Sequence, residues 1–123
     1  MRRRLAIAIL FLGAAVLAMP GPLAAAEKAG FIAGTEDIPL MPGLANDLGT
    51  LVVFDKPQGR IVEVEAKGKV TRAAVEKFYA AALPELGWTA DGTRSWQREG
   101  EGLRFDFKGS DGNLRVGFSL SPR

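Results

Sequence analysis

The sequence has neither cysteine nor histidine. Without cysteine the chain forms no disulfide, offers no thiol nucleophile and cannot follow the lipoprotein route. Without histidine it lacks the most common general base near neutral pH, and zinc-finger and histidine-based metal sites are excluded. Glycine motifs for phosphates or dinucleotides and the nucleophile elbow are absent as well. We therefore expect a protein that is not an enzyme and that has no cofactor and no metal site.

The first 26 residues have the pattern of a secretory signal peptide. Arg2, Arg3 and Arg4 precede an apolar run at residues 5–18, which is short for a bilayer span, and Ala26 ends a stretch of small residues suited to cleavage. We expect cleavage after Ala26 and no stable membrane span afterwards, with an uncleaved anchor as the alternative. The predicted location is periplasmic or secreted, in a Gram-negative envelope.

The positive charge of the chain belongs to this signal. The whole sequence has 16 basic and 14 acidic residues, and three of the basic residues lie within the first 26. The remaining 97 residues therefore carry 13 basic and 14 acidic side chains. A chain so close to neutral gives no reason to expect nucleic acid or an anionic membrane as partner.

Residues 70–88 are the most strongly periodic stretch outside the signal. Six apolar side chains recur at helical spacing and fall on one side of a helix: Val75, Phe78, Tyr79, Ala82, Leu83 and Leu86. We expect Thr71 to cap the start of this helix. Pro84 should kink or restart it, and Gly87 should end it in a left-handed conformation before Trp88 leaves as an apolar anchor.

Two motifs suggest a family. Residues 78–88 have the form F-Y-x-x-x-L-P-x-x-G-W, and residues 38–43 have the form I-P-x-x-P-G. Together they resemble a recurrent bacterial exported module, often uncharacterised, over residues 36–120. The resemblance implies a helix preceded by two strands and followed by a closing antiparallel sheet. It implies no activity and no catalytic residues.

The other segments alternate apolar and polar residues as half-buried strands do. Residues 51–55 and 60–67 read as two strands joined by a turn at residues 56–59. After the helix the chain turns at Asp91 and Gly92, and three more strands follow at residues 94–99, 103–108 and 114–120. We predict an α+β fold in the order ββαβββ, a two-layer sandwich with the helix packed on an antiparallel sheet of four to five strands.

The predicted organisation after the signal is one domain with an N-terminal extension. Residues 27–49 form an extended segment that contains Pro39 and Pro42, and residues 50–123 form the α+β domain. The apolar side chains of residues 38–44 favour a segment laid along the core. The alternative is an arm whose proline-restricted shape docks a partner.

Four charged residues are candidates for a partner surface on the outer side of the sheet. Glu63 and Glu65 are two apart on one strand and therefore point the same way. Such a pair can serve as an acid and base or bind a hard cation, but on an outer strand it is more often solvated, here near Arg98, Arg104 or Arg115 across the sheet. Arg104 and Arg115 are predicted on the same face, which gives the mixed charge of an ordinary soluble surface.

Three aromatic residues are candidates for a ligand site between helix and sheet. Tyr79 has the helical spacing of a core residue, and Trp88 and Trp96 lie on either side of the turn after the helix. They can form a wall for an apolar ligand, although two tryptophans in a small domain more often seal the end of a core.

The sequence therefore predicts a small exported binding or accessory module that acts by surface recognition of an envelope protein. Binding of a small apolar ligand or lipid between helix and sheet is the alternative. A hydrolase that uses the paired carboxylates is a third and more remote hypothesis.

Overall fold

The computed structural model describes residues 30–123. It contains one α-helix and six strands, and the predicted signal at residues 1–26 lies outside the described residues. Among residues 30–123 no helix is long and apolar enough to cross a membrane. The elements in chain order are β1 (Leu44–Lys56), β2 (Gly59–Gly68), α1 (Arg72–Glu85), β3 (Thr89–Gly92), β4 (Ser95–Arg98), β5 (Glu101–Ser110) and β6 (Asn113–Pro122).

The strands form one open antiparallel sheet in the order β1-β2-β6-β5-β4-β3. The α+β class is as predicted, but the expected four to five strands and the order ββαβββ are wrong because β3 is a separate strand. β3 has four exposed residues and pairs only with β4. The expected turn at Asp91 and Gly92 lies instead at residues 93–94. A short exposed edge strand has no alternating pattern that a sequence can reveal.

β1 is longer than the predicted strand at residues 51–55. It begins at Leu44, so it also contains residues 44–49, which were predicted to belong to the extended N-terminal segment. Between Asp47 and Val52 the pairing with β2 is interrupted by a register shift. This bulge inserts extra residues and breaks the alternation of the strand.

Helix α1 begins and ends through local interactions that its sequence predicts. The Thr71 hydroxyl accepts a 3.0 Å hydrogen bond from the backbone N–H of Ala74. At the other end, Gly87 has φ of +92° and donates to the carbonyl of Pro84, while Trp88 donates to the carbonyl of Leu83. These two bonds form a Schellman motif. The helix ends at Glu85, one residue beyond Pro84, and does not restart.

The core lies between α1, the N-terminal segment (residues 30–43) and one face of the sheet. Tyr79 is its centre, with its ring 5.5 Å from that of Phe105 and 5.6 Å from that of Phe118. Buried side chains from both layers surround it: Val62, Val64, Ala66, Val75, Leu83, Leu103, Leu114, Val116 and Leu120. Burial of such side chains is the main source of stability in a domain of this size.

The N-terminal segment lies along the core, as the favoured interpretation predicts. Its backbone folds back on itself, because Ile32 donates to the carbonyl of Ile38 at 2.8 Å and Leu40 to that of Gly30 at 2.7 Å. Ile32 and Ile38 are each 1% exposed. The segment is thus part of the packed domain.

Candidate functional site

The face of the sheet that points away from α1, called here the outer face, carries the charged candidates. Along β2 the buried residues Val62 and Val64 alternate with Glu63 and Glu65. β5 and β6 alternate in the same way, so the residues between their buried positions share this face: Arg104, Asp106, Lys108, Arg115, Gly117 and Ser119. Among residues 30–123 no second layer of helix or strand covers it.

Strand register arranges these side chains in rows across the sheet. Glu63 lies opposite Ser119, which lies opposite Arg104. The next row runs from Asp47 through Glu65 and Gly117 to Asp106, and the third runs from Lys67 through Arg115 to Lys108. Directly opposed residues of antiparallel strands are near neighbours on one face. The outer face therefore has an acidic row beside a basic row.

Glu65 is the centre of an ion-pair network. Its carboxylate accepts hydrogen bonds from Lys108 at 2.9 Å and from Arg115 at 2.7 Å, and Arg115 also donates to Asp47 at 3.2 Å. The hydrogen bond from Lys108 is the main cause that lowers the pKa of Glu65, and the bond from Arg115 lowers it further against the opposing effect of burial. The hydrogen bond to Glu65 in turn raises the pKa of Lys108.

Glu63 and Arg104 behave differently from Glu65 and Arg115. Both are exposed, and neither forms a salt bridge with another of the described residues. Ser119 lies between them in their row, so two strand spacings, roughly 10 Å, separate the two charges. The row thus presents a negative and a positive charge on either side of a small residue.

A shallow groove of about 440 Å³ runs through this part of the outer face. Its floor contains Gly117 and Ser119 of β6, and Glu63, Glu65, Arg104 and Asp106 are among the residues that line it. A Cβ atom at Gly117 would lie 2.8 Å from a carboxylate oxygen of Asp106. The glycine therefore leaves room for the Asp106 side chain to lie across the central strand.

The aromatic candidates lie on the other side of the sheet, in the core. Tyr79 is fully buried, and its hydroxyl donates to the carbonyl of Pro39 at 2.7 Å and accepts from the backbone N–H of Met41 at 3.2 Å. Burial raises the pKa of this hydroxyl. Trp88 and Trp96 are 3% and 7% exposed. The structure thus brings the four charged candidates together and keeps them apart from the three aromatic ones.

The two tryptophans anchor the end of α1 and strand β4. Their indole N–H groups find no hydrogen-bond acceptor among the described residues. The Arg98 guanidinium lies 4.4 Å from the centre of the Trp88 ring and pairs with Asp37 at 2.9 Å. Arg98 was expected near the outer-face carboxylates, but it belongs to this end of the core.

Two features of the surface were missed in the sequence. Asp47 forms a salt bridge with Arg115 because β1 extends to both sides of the bulge and pairs Asp47 with Glu65. The residues before the bulge have no periodic pattern that would predict this pairing. Val52 and Phe54 are 42% and 54% exposed although their sequence is typical of a buried strand. A hydrophobic edge strand and a buried strand share the same residue types, so only the strand order separates them.

In comparisons with known proteins, no family model, no curated protein and no solved structure matches this chain. The resemblance to a recurrent exported module therefore stays a prediction, and the function is argued from the geometry of the described residues.

Proposed function

We propose that this protein is a small exported binding or accessory module of the Gram-negative envelope. It recognises a protein partner through the outer face, with Glu63 and Arg104 as the principal contacts. The observation that supports this proposal is the contrast between two pairs of charges. Glu65 and Arg115 form an ion pair with each other, whereas neither Glu63 nor Arg104 forms an ion pair with any of the described residues. Charges of the second kind can meet opposite charges of a partner.

The alternation of charge favours a protein over a polyanion as partner. A surface for nucleic acid or an anionic membrane gathers lysine and arginine on one side. Here the acidic row of Asp47, Glu65 and Asp106 lies between Glu63 and the basic row. A folded protein can place a positive charge opposite each acidic residue of the outer face and a negative charge opposite each basic one. A protein that placed like charges opposite each other would be repelled, which gives specificity.

The carboxylates support binding more than catalysis. A general acid at neutral pH needs a raised pKa, usually through burial or an unpaired like charge. The pKa of Glu65 is lowered instead, because Lys108 and Arg115 donate to the carboxylate. Glu65 therefore lacks the environment that a general acid needs.

No observation on the described residues favours the alternative of an apolar ligand between helix and sheet. Tyr79 is fully buried with its hydroxyl engaged on both sides, and Trp88 and Trp96 are almost fully buried. A ligand there would have to displace packed side chains, and close-packed cores resist such insertion.

The test is co-purification of the tagged full chain from a Gram-negative envelope, with sizing in the same run. The outer-face variant combines Glu63→Arg with Arg104→Glu, which reverses both charges and leaves the net charge unchanged. The matched control combines Lys77→Glu with Glu85→Lys on the exposed side of α1, again without a change in net charge. We expect a stoichiometric partner with the wild type and the control, and at least tenfold less with the outer-face variant.

Three results would contradict the proposal. One is a partner retained by the outer-face variant, and another is a wild-type chain that recovers none. The third is a specific turnover activity that disappears when Glu63 or Glu65 is replaced.

A further inference from the structure

Strand β1 forms one edge of the sheet and has an unusual surface. The structure exposes five large apolar side chains among residues 30–123, and four of them lie in β1. They are Leu48, Val52, Val53 and Phe54, of which Phe54 is 54% exposed. The opposite edge, β3, is four residues of threonine, alanine, aspartate and glycine. The two edges of the sheet are thus of different character.

The exposed residues of β1 cover both faces of the strand. Val52 lies opposite Glu63 and Phe54 opposite Ile61, so both are on the outer face, whereas Val53 lies opposite the buried Val62 and is on the inner face. β1 pairs with β2 on one side only, and no other strand of the described residues pairs with its second side. Residues 51–56 therefore offer backbone donors and acceptors beside apolar side chains.

Such an edge is normally protected. Sheet proteins place charged residues, prolines or bulges on an edge strand to prevent pairing with another chain. The bulge of β1 lies before Val52, and the charged residues Asp55 and Lys56 come only at its end. The stretch from Leu51 to Phe54 is unprotected in the described chain.

We propose that β1 pairs antiparallel with β1 of a second copy of this chain, about a two-fold axis at Val53. The two six-stranded sheets then form one continuous sheet of twelve strands. This inference goes beyond the proposed function and does not depend on it. A two-fold axis perpendicular to the sheet leaves both outer faces on the same side, so both Glu63–Arg104 rows lie on one surface of the dimer.

The sequence of β1 is complementary to itself in this register. Opposed residues of antiparallel strands share a face, so Val53 faces its own copy on the inner side and Val52 faces Phe54 on the outer side, twice. A β-branched residue opposite an aromatic one is a favourable cross-strand pair. In this arrangement the side chains of Val52, Val53 and Phe54 are all covered by the second copy.

The charges at the end of the strand disfavour one of the neighbouring registers. With the axis at Val53, Asp55 faces Leu51 and Lys56 faces Thr50, so no like charges are opposed. With the axis at Asp55, the two aspartates would face each other, which is unfavourable. An axis at Phe54 would place Asp55 opposite Val53 and lose the pairing of Val52 with Phe54. Of these three registers, only the axis at Val53 pairs Val52 with Phe54 and opposes no like charges.

The absence of cysteine makes the register directly testable by cross-linking. Val53→Cys places two thiols opposite each other at the axis, and we expect a disulfide-linked dimer on oxidation. Val52→Cys alone should not cross-link, because its own copy is displaced by two residues, about 6.8 Å along the strand. A mixture of Val52→Cys and Phe54→Cys chains should again give covalent dimers.

The second measurement is the mass of the full chain over a range of concentrations. We expect the wild type to be a dimer, and Phe54→Lys to raise its dissociation constant at least tenfold with an unchanged circular dichroism spectrum. Thr89→Lys, on the opposite edge, should leave the dimer intact. A wild type that is monomeric at every concentration overturns the proposal, as does a Val52→Cys chain that cross-links to itself while Val53→Cys does not. Because the readout is self-association, it is independent of any partner of the outer face.

Discussion

The hydroxyl of Tyr79 donates a hydrogen bond of 2.7 Å to the carbonyl oxygen of Pro39. The hydroxyl oxygen of Tyr79 also accepts a hydrogen bond of 3.2 Å from the backbone N–H of Met41. One buried side chain of α1 therefore satisfies two backbone groups of the N-terminal segment. This contact holds the segment against the core, together with the burial of Ile32 and Ile38.

Removal of this hydroxyl should destabilise the domain. In Tyr79→Phe the ring is kept, but the carbonyl of Pro39 and the N–H of Met41 lose their partner in a part-buried site. We expect the free energy of unfolding in urea to fall by about 1–3 kcal/mol. The exposed residue Thr93 provides the control, and Thr93→Val should change the free energy of unfolding by less than about 0.5 kcal/mol. Equal effects of the two substitutions would contradict the role given to Tyr79.

Arg98 should stabilise the end of the core through several contacts at once. It donates to Asp37 at 2.9 Å and to the carbonyl of Leu86 at 2.9 Å, and it stacks on Trp88. We expect Arg98→Ala to lower the free energy of unfolding by about 1–3 kcal/mol, and Arg98→Lys to recover only part of the loss. Arg104→Ala, on the exposed outer face, is the matched control and should have little effect. Unfolding followed by tryptophan fluorescence measures the stability of all three variants. Similar losses in Arg98→Ala and Arg104→Ala would contradict the stabilising role given to the contacts of Arg98.

Gly68 and Gly112 are required for different reasons, so replacement by alanine should have different effects at the two positions. At Gly68 a Cβ atom would lie 1.9 Å from the carbonyl oxygen of Gly43, so the backbone itself has to move. At Gly112 the space is open, but φ is +89°, which strains any residue with a Cβ atom by about 1–2 kcal/mol. We expect Gly68→Ala to lower the melting temperature much more than Gly112→Ala. Gly112→Asn should be milder still, because asparagine tolerates this conformation. The reverse ranking would contradict the close approach of β2 to Gly43.

The ion pairs of Glu65 should make stability depend on acid pH. Hydrogen bonds from Lys108 and Arg115 lower the pKa of the Glu65 carboxylate in the folded state. Their contribution to the free energy of unfolding is therefore fully present above the unfolded pKa of about 4.3. It is lost as the pH falls through the lower, folded pKa. We therefore expect Glu65→Gln to be less stable than the wild type at pH 7. The difference in free energy of unfolding between the two should become smaller as the pH falls below about 4.3.

Urea unfolding at several pH values measures this difference. Glu63→Gln removes a carboxylate that forms no ion pair among the described residues, and it serves as the control. It should differ little from the wild type at pH 7. A difference between Glu65→Gln and wild type that stays constant from pH 7 to pH 3 would rule out the ion pairs as its cause.

The helix and the alternating strands were predictable because their signals are local. The bounds of α1 follow from the Thr71 cap and from Gly87, each of which acts within one turn of the chain. In the same way, the alternation along β2 places Glu63 and Glu65 on one face whatever the neighbouring strand is. The four charged candidates were therefore assigned to a shared face correctly.

Their pairing was not predictable. Arg115 is 50 residues from Glu65 in sequence, and Arg98 is 61 residues from Asp37. Which arginine meets which carboxylate depends on strand order and register, which are decided by the packing of the whole sheet. β3 and the first half of β1 were missed for a related reason, since their pairing partners rather than their own residues make them strands.

Local sequence signals specify which reactive groups are missing, where the helix begins and ends, and which side chains of β2, β5 and β6 are buried. They do so because side-chain direction follows directly from helical and strand periodicity. The central position of β6, and the edge position of β1 with Val52 and Phe54 exposed, follow from the packing of the whole sheet. The same packing decides that Glu65 is paired while Glu63 is not, because contacts between distant strands depend on the fold as a whole.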